Sequence, residues 1–176
     1  AYADLMAAAH ADAVHGAEIC RDLQDRLVMI ARVSDAGAFV NTNALTLKRS
    51  HGDYSVMQLL YDGSEIKAVL DFVNAGEVPI AWELIRSYSY MDCTFNAARL
   101  AAYTNEYRRY AEVSMDDLRY MPYLYLSQLL SSTYGYKQYL QTGDEELLAF
   151  GRWRTEMCRY LIANAREVSA ELVRLA

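Results

Sequence analysis

The sequence predicts an α+β protein that is mostly helical and contains one small β-hairpin. Its 176 residues include only two prolines, Pro79 and Pro122, so long helices are seldom interrupted. Apolar residues recur at helical spacing at both ends of the chain, whereas residues 66–70 alternate as a strand does. The pair Asp62-Gly63 lies just before that alternating stretch, and such a pair between apolar segments is typical of a hairpin turn.

The first half of the chain is predicted to contain one helix, a loop and three short strands. The helix runs from Ala3 to about Val33, and Gly16 weakens its middle. Residues 34–45 are rich in Ser, Asp, Gly and Asn, as loops are. The predicted strands lie at residues 45–48, 57–61 and 66–70. The turn lies at residues 62–65, and the sequence does not decide between a loop of two residues and one of four.

The second half is predicted to be helical after Pro79. The four predicted helices lie at residues 80–91, about 96–111, about 114–140 and about 142–172. Ser114 with Asp117 and Thr142 with Glu145 have the spacing of a capping box, and each pair is expected to open a helix. Because the chain has no internal repeat and no low-complexity linker, residues 1–176 are predicted to form a single domain.

Composition excludes two classes of partner. The net charge is −6 and the pI is about 5.1, so we expect binding neither to nucleic acid nor to anionic lipid. No apolar stretch approaches the roughly 20 residues that span a bilayer, so no membrane association is expected. The three cysteines, Cys20, Cys93 and Cys158, are distant from one another and are interpreted as small core residues. Their odd number and spacing favour a reducing, cytoplasmic location.

The hairpin is expected to bring distant polar side chains together. Its second strand returns to the point where the first begins, so Asp71 is expected to end near Asp53 and Gln58. Two carboxylates and an amide oxygen are ligands that suit Mg²⁺, which binds few protein groups and leaves room for phosphate oxygens. The sequence therefore predicts a magnesium site at this end of the hairpin.

The same residues resemble a known family. His51-Gly52-Asp53, Gln58 after four intervening residues, a hairpin, and then Val69-Leu70-Asp71-Phe72 resemble the catalytic core of the aminoglycoside phosphotransferase and choline kinase-like family. The chain continues through Pro79 to Glu83-Leu84-Ile85-Arg86, where that family has a proline segment and a helix. The resemblance is specific over residues 50–86. It implies a protein-kinase-like fold, of which this chain would be the helical C-terminal lobe with the small catalytic hairpin.

The resemblance implies roles for four residues of the loop and hairpin. Asp53 would accept or orient the proton of the acceptor hydroxyl, and His51 would shape the catalytic loop. Gln58 stands where the family has a metal-binding Asn, and Asp71 would hold Mg²⁺ against the phosphates of ATP. Phosphoryl transfer needs this set because its catalysis consists mainly of positioning and of neutralising negative charge.

Two further residues would support the catalytic loop from the following helix. Glu83 stands where the family has a bracing Asp, and Arg86 follows it on the same helix. Gln58 and Glu83 are each one methylene longer than the family residue. The alternatives are therefore a non-catalytic, pseudokinase-like binding or regulatory domain and, more remotely, a helical interaction domain.

The resemblance also implies a part that this sequence does not contain. Family members have an N-terminal lobe with a sheet, a loop over the phosphates and a lysine that pairs with them. This chain has no glycine-rich loop between two strands, and its only lysines are Lys48, Lys67 and Lys137. We expect the nucleotide-binding lobe to be absent and the 176-residue chain to be nearly inactive alone. A lobe without its partner is also expected to self-associate through the exposed face of its cleft.

The resemblance implies an alcohol as acceptor, without naming it. Compatible acceptors are aminoglycosides, choline or ethanolamine, homoserine, a sugar, and protein serine or threonine. Of the 15 tyrosines, six lie between Tyr120 and Tyr139 and have two interpretations. We favour amphipathic core positions. The other interpretation makes them the walls of an acceptor pocket, which would suit a small cationic amine.

Overall fold

The computed structural model describes residues 1–35, 41–91 and 95–176. Over these residues the chain forms seven helices: α1 (Tyr2–Ala9), α2 (Gly16–Asp35), α3 (Ile80–Met91), α4 (Ala97–Arg108), α5 (Met115–Ser131), α6 (Tyr134–Thr142) and α7 (Glu145–Leu175). The same residues form four strands: β1 (Leu47–Ser50), β2 (Leu59–Asp62), β3 (Glu65–Val69) and β4 (Gly76–Pro79). The predicted mostly helical α+β fold with a small hairpin is confirmed.

The chain is divided into two compact units. The first comprises Ala1–Phe39 and Leu126–Asn164, and the second comprises Val40–Tyr125 and Ala165–Ala176. The predicted single domain stays a prediction. In the part of the chain that the structure describes, no helix is both long and apolar enough to cross a bilayer.

The first unit is helical and has an apolar core. One cluster of buried side chains comes from α1, α2, α6 and the start of α7, and its members are Leu5, Ala9, Ile19, Cys20, Leu23, Tyr136, Tyr139 and Leu148. Two buried polar side chains form hydrogen bonds within this unit. The Tyr136 hydroxyl donates to Asp22, and Arg26 donates to the carbonyls of Leu129 and Ser132.

The prediction of one helix from Ala3 to Val33 is wrong in its middle, because α1 ends at Ala9 and α2 begins at Gly16. The Asp12 carboxylate accepts hydrogen bonds from the backbone N–H groups of Val14 and His15, which gives these groups partners outside a helix. A Cβ on Gly16 would lie 2.0 Å from the carbonyl oxygen of Ala9. The glycine therefore permits the close approach of α1 to the start of α2.

The second unit contains two antiparallel strand pairs. β1 pairs with β4 in the register Leu47 to Pro79 and Ser50 to Gly76, and β2 pairs with β3 in the hairpin. Strand β4 was not predicted, because Gly76–Pro79 has no alternation of apolar residues and depends on β1 for its hydrogen bonds. The ribbon β1–β4 positions the candidate site, because the loop predicted to be catalytic begins where β1 ends.

The hairpin turn has two residues, Gly63 and Ser64, between the paired Asp62 and Glu65. Gly63 has a φ of 61°, a left-handed value that glycine adopts without steric cost. The register changes between Leu60 and Tyr61, so that Lys67 is an extra residue opposite them. Of the two loop lengths that the sequence left open, the structure has the loop of two residues.

Helix ends follow the capping signals in part. The Ser114–Asp117 capping box is confirmed, since each backbone N–H donates to the side chain of the other residue, at 2.8 and 3.0 Å. Its helix ends at Ser131 instead of continuing to residue 140, and α6 follows as a separate helix. The Thr142–Glu145 box is wrong. Gly143 ends α6 with a φ of 72°, and Asp144 caps α7 by accepting from the Glu146 backbone.

Candidate active site

The loop predicted to be catalytic starts at His51, directly after β1. Gly52 has a φ of 77°, and a Cβ there would lie 2.0 Å from the carbonyl oxygen of Asn74. Any other residue would therefore be strained in backbone conformation and would also collide with the segment that leads into β4. The Gly of the His-Gly-Asp sequence is needed for packing as well as for the turn.

His51 connects the loop to the end of the hairpin. Its ring is buried, and Nε2 lies 2.6 Å from the carbonyl oxygen of Leu70, so Nε2–H donates to that oxygen. The backbone N–H of Asp53 donates to Nδ1 at 3.3 Å. These two contacts hold the ring in one orientation between the loop and the end of the hairpin. The ring also packs against Phe72, with 4.6 Å between the ring centroids.

Glu83 holds the loop from α3. Its carboxylate is only 7% exposed and accepts the backbone N–H of Gly52 at 3.1 Å and that of Tyr54 at 2.9 Å. The longer side chain of Glu, compared with the Asp of the family pattern, still reaches both donors. A single helix side chain thus satisfies two backbone groups that the turn leaves without partners.

Asp53 and Arg86 form an ion pair between the loop and α3. The Arg86 guanidinium donates to Oδ1 of Asp53, and the two side chains are 12% and 27% exposed respectively. The guanidinium also lies over the rings of Trp82 and Tyr90, at 5.4 and 5.2 Å from their centroids. Oδ2 of Asp53 receives no hydrogen bond from the described residues, so it remains available to a ligand.

Gln58 and Asp71 lie next to each other at the open end of the hairpin. The Leu70 backbone donates to the Gln58 carbonyl at 2.8 Å, directly beyond the pair Leu59–Val69. Asp71 then takes a left-handed conformation with a φ of 61°. Such a conformation is uncommon for a residue with a side chain and often marks a functional position.

The donor groups of this end of the hairpin fit Mg²⁺. The described residues include no group of three or more His, Cys, Asp or Glu side chains that could hold a metal ion. Mg²⁺ does not need one, because it commonly binds one or two carboxylates and completes its shell with water and phosphate oxygens. The carboxylate of Asp71 is exposed and, within the described chain, forms no hydrogen bond or ion pair.

A cavity of about 310 Å³ borders the loop on the side of Glu83. Tyr54, Tyr103 and Tyr107 contribute to its walls. Burial raises the pKa of all three hydroxyls, and the negative charge of Glu83 raises the pKa of Tyr103 and Tyr107 further. These three tyrosines were not singled out in the sequence, because nothing in their spacing shows that the loop and α4 meet.

Three of the six late tyrosines are core residues, as the sequence favoured, and Tyr120 and Tyr123 are partly buried. Tyr125, Tyr136 and Tyr139 are buried, whereas Tyr134 is exposed. They belong to two helices, α5 and α6, instead of one. Of the three cysteines, Cys20 and Cys158 are buried and unpaired, as expected for core residues, and Cys93 lies outside the described residues.

Comparison with known proteins identifies the class. The family model described as the phosphotransferase enzyme family matches residues 5–113, which is more than half of the chain. This protein therefore belongs to the phosphotransferase enzyme family, which has a protein-kinase-like fold, and the resemblance seen in residues 50–86 is confirmed. Searches of curated proteins and of solved structures found no match to the chain.

Proposed function

We propose that this chain is the catalytic-loop and acceptor-binding part of an ATP-dependent phosphotransferase, which moves the γ-phosphoryl group to an alcohol hydroxyl. Family membership supports the class of reaction. The observation that supports the site is the pair of hydrogen bonds at Leu70, from its N–H to Gln58 and from His51 to its carbonyl. These bonds join the loop of Asp53 to the hairpin end that precedes Asp71.

In this proposal Asp53 receives the acceptor hydroxyl. Arg86 occupies Oδ1, so the hydroxyl of the acceptor donates to Oδ2 and is aligned for attack on the phosphorus. Arg86 keeps the orientation of the carboxylate fixed because its guanidinium is itself held between two aromatic rings. His51 and Glu83 act indirectly, by holding the backbone on both sides of Asp53.

Gln58 and Asp71 would hold Mg²⁺ through the side-chain amide oxygen and the carboxylate. The ion, when bound, neutralises the charge of the β- and γ-phosphates. The left-handed conformation of Asp71 fixes the backbone from which its carboxylate projects. The extra methylene of Gln58 lengthens the reach of its amide but leaves the ligand atom an oxygen.

The nucleotide-binding lobe is proposed to lie outside these 176 residues. No lysine of the sequence precedes the catalytic loop within a glycine-rich strand pair, so the α- and β-phosphates would lack their usual partner. The acceptor is proposed to be a small alcohol, with a cationic amine among the candidates. The proposed location of the enzyme is cytoplasmic, without nucleic-acid or membrane partners.

The test is acceptor-dependent release of ADP by a protein in which this chain is joined to a nucleotide-binding lobe. Alcohol acceptors would be screened with Mg²⁺ and ATP. The Asp53→Asn variant is expected to lower kcat by about 10²–10⁴-fold, because the carboxylate no longer accepts the hydroxyl proton. Asp62→Asn, at the hairpin turn, is the matched control and is expected to leave kcat unchanged.

Two results would contradict the proposal. Asn at position 53 with the kcat of the parent would exclude Asp53 as the group that faces the hydroxyl. Rapid phosphotransfer by the 176-residue chain alone would exclude the dependence on a second lobe. Titration with Mn²⁺, monitored by the broadening of the NMR resonances of Gln58 and Asp71, tests the metal ligands without turnover. The Asp71→Asn variant is expected to bind Mn²⁺ more weakly.

A non-catalytic binding domain is the second candidate, and one observation favours it. The ion pair with Arg86 neutralises the carboxylate that would act as the base. Arg86→Met distinguishes the two, because it removes the charge and keeps an apolar side chain between the rings. A catalytic Asp53 held by Arg86 predicts a lower kcat in this variant, whereas a blocked Asp53 predicts a kcat that rises from near zero.

A further inference from the structure

The cavity beside Glu83 is lined by acidic, hydroxyl and aromatic side chains. One face of α3 contributes Glu83 and Ser87, and α4 contributes Tyr103 and Tyr107. Tyr54 closes it from the loop. The volume of about 310 Å³ is that of a pocket for a small ligand.

The interior of this cavity is electronegative. The two hydrogen bonds to Glu83 come from uncharged backbone groups, and among the described residues no cation lies within ion-pair distance of its carboxylate. The charge of that carboxylate contributes to the raised pKa of Tyr103 and Tyr107, so its field reaches both hydroxyls. Three tyrosines contribute to the lining, and the face of an aromatic ring has negative potential.

Arg49 also lines the cavity, and its charge opposes that of Glu83. The two charges are not equivalent. Arg49 is an exposed residue of β1, whereas Glu83 is buried, and water screens the exposed charge much more strongly. The inner part of the cavity therefore favours a positive group.

The cavity borders the proposed catalytic loop, but on α3 it lies on a different side of the helix from Arg86. Its residues on α3 are Ile80, Glu83, Leu84 and Ser87, which lie on one side of the helix at spacings of three and four. Trp82, Arg86 and Tyr90 form the neighbouring side, where Arg86 pairs with Asp53. Asp53 is not part of the described lining, although His51 and Tyr54, on either side of it in the loop, are.

We propose that this cavity binds a small organic ammonium ion, which lies against the tyrosine rings with its charge beside Glu83. Ring faces and a buried carboxylate are the groups that bind such cations in proteins. Because Glu83 also accepts hydrogen bonds from the backbone of Gly52 and Tyr54, a cation in the cavity acts on the catalytic loop through Glu83. The site is thus one for an effector, and it is distinct from the acceptor site of the proposed reaction.

Tetramethylammonium is the probe, because it has no hydroxyl and cannot be a phosphoryl acceptor. It would be titrated into the 176-residue chain without nucleotide, with the amide resonances of Gly52 and Tyr54 observed by NMR. We expect saturable shifts of both amides, since both donate to Glu83. Neopentyl alcohol, a neutral molecule of similar shape, is expected to bind at least about tenfold more weakly.

Variants at position 107 test the role of the ring. Tyr107→Leu is expected to weaken tetramethylammonium binding about tenfold, and Tyr107→Phe to change it less than about twofold, because Phe keeps the ring face. Tyr110→Leu, an exposed tyrosine outside the lining, is the matched control and is expected to bind as the parent does. Should Tyr107→Leu lose its native spectrum, Glu83→Gln replaces it and is expected to abolish the preference over neopentyl alcohol.

The proposal is overturned if the amides of Gly52 and Tyr54 do not shift, if neopentyl alcohol binds equally well, or if Tyr107→Leu binds as the parent does. None of these outcomes bears on phosphotransfer, because the titration needs neither ATP nor an acceptor. Conversely, loss of activity in Asp53→Asn leaves the titration unaffected, so failures of the two proposals are distinguishable.

Discussion

The Glu83 carboxylate is the side chain on which the conformation of the catalytic loop depends most directly. Two backbone donors, on Gly52 and Tyr54, have no other partner in the described chain. A buried donor that loses its acceptor costs about 1–3 kcal/mol. The loop therefore has its native shape only while an acceptor of suitable length projects from this position of α3.

We expect Glu83→Ala to lower the free energy of unfolding of the second unit by about 2–4 kcal/mol, because both donors lose their acceptor. Hydrogen exchange at Gly52 and Tyr54 measures this locally, and urea denaturation measures it globally. Glu106→Ala is the matched control. It breaks an exposed ion pair with Arg109 and is expected to cost less than about 1 kcal/mol. Equal losses in the two variants would show that Glu83 does not support the loop.

The sequence predicted part of this site. The hairpin and its return toward Gln58 could be predicted from the Asp-Gly turn and the alternation after it, both of which are local signals. The ion pair between Asp53 and Arg86 could not be predicted. Which side of α3 meets the loop depends on the pairing of β1 with β4, and that pairing has no signal in the sequence of β4.

At the scale of elements, helices α6 and α7 show how a packing contact outweighs local propensity. Gly135 lies inside α6, where alanine would be intrinsically better by about 1 kcal/mol. A Cβ there would nevertheless lie 2.5 Å from the backbone nitrogen of Gly151 and 2.6 Å from its Cα. The two glycines let the helix backbones touch, and backbone atoms cannot move aside as the end of a side chain can.

We expect Gly135→Ala to lower the free energy of unfolding of the first unit by about 2 kcal/mol, because overpacking at a backbone contact exceeds the gain in propensity. Urea denaturation followed by circular dichroism measures the change. Lys137→Ala, at an exposed position of the same helix, is the control and is expected to stay within about 0.5 kcal/mol of the parent. A gain in stability in Gly135→Ala would show that helix propensity decides this position.

The errors in the predicted element boundaries also come from contacts between residues that are distant in sequence. The Ser114–Asp117 box was visible in the sequence because both its members are local. The break at Gly16 was not visible, since the need for a missing Cβ comes from the Ala9 carbonyl. At the start of α7, Asp144 and Thr142 both have capping side chains, and only the left-handed Gly143 between them shows which one opens the helix.

At the scale of the whole molecule, the hairpin and its flanking turns expose many large apolar side chains. They are Val56, Met57, Leu60, Tyr61, Ile66, Val69, Leu70, Phe72 and Val73. Exposed apolar side chains grouped in this way usually mark a surface that another chain covers. We propose that a second copy of the 176-residue chain covers this hairpin surface when no other partner is present.

The net charge of −6 opposes that association, because each copy repels the other. Salt shortens the range of the repulsion, to about 8 Å at physiological ionic strength, and leaves the burial of apolar surface intact. We therefore expect the mass measured by light scattering to rise with protein concentration, and to rise more steeply as salt is added. An association that weakened with salt would instead indicate ion pairs between the copies.

A double variant at the hairpin surface tests where the copies meet. Met57 and Val73 are 80% and 88% exposed, and replacing both with Glu is expected to return the mass to that of a monomer. The same two added charges at Val14 and Tyr110, which are 79% and 78% exposed, form the matched control. If charge alone mattered, both double variants would dissociate. If the hairpin surface is the interface, only the first does, whereas a parent chain that is monomeric at every concentration and salt would exclude self-association through this surface.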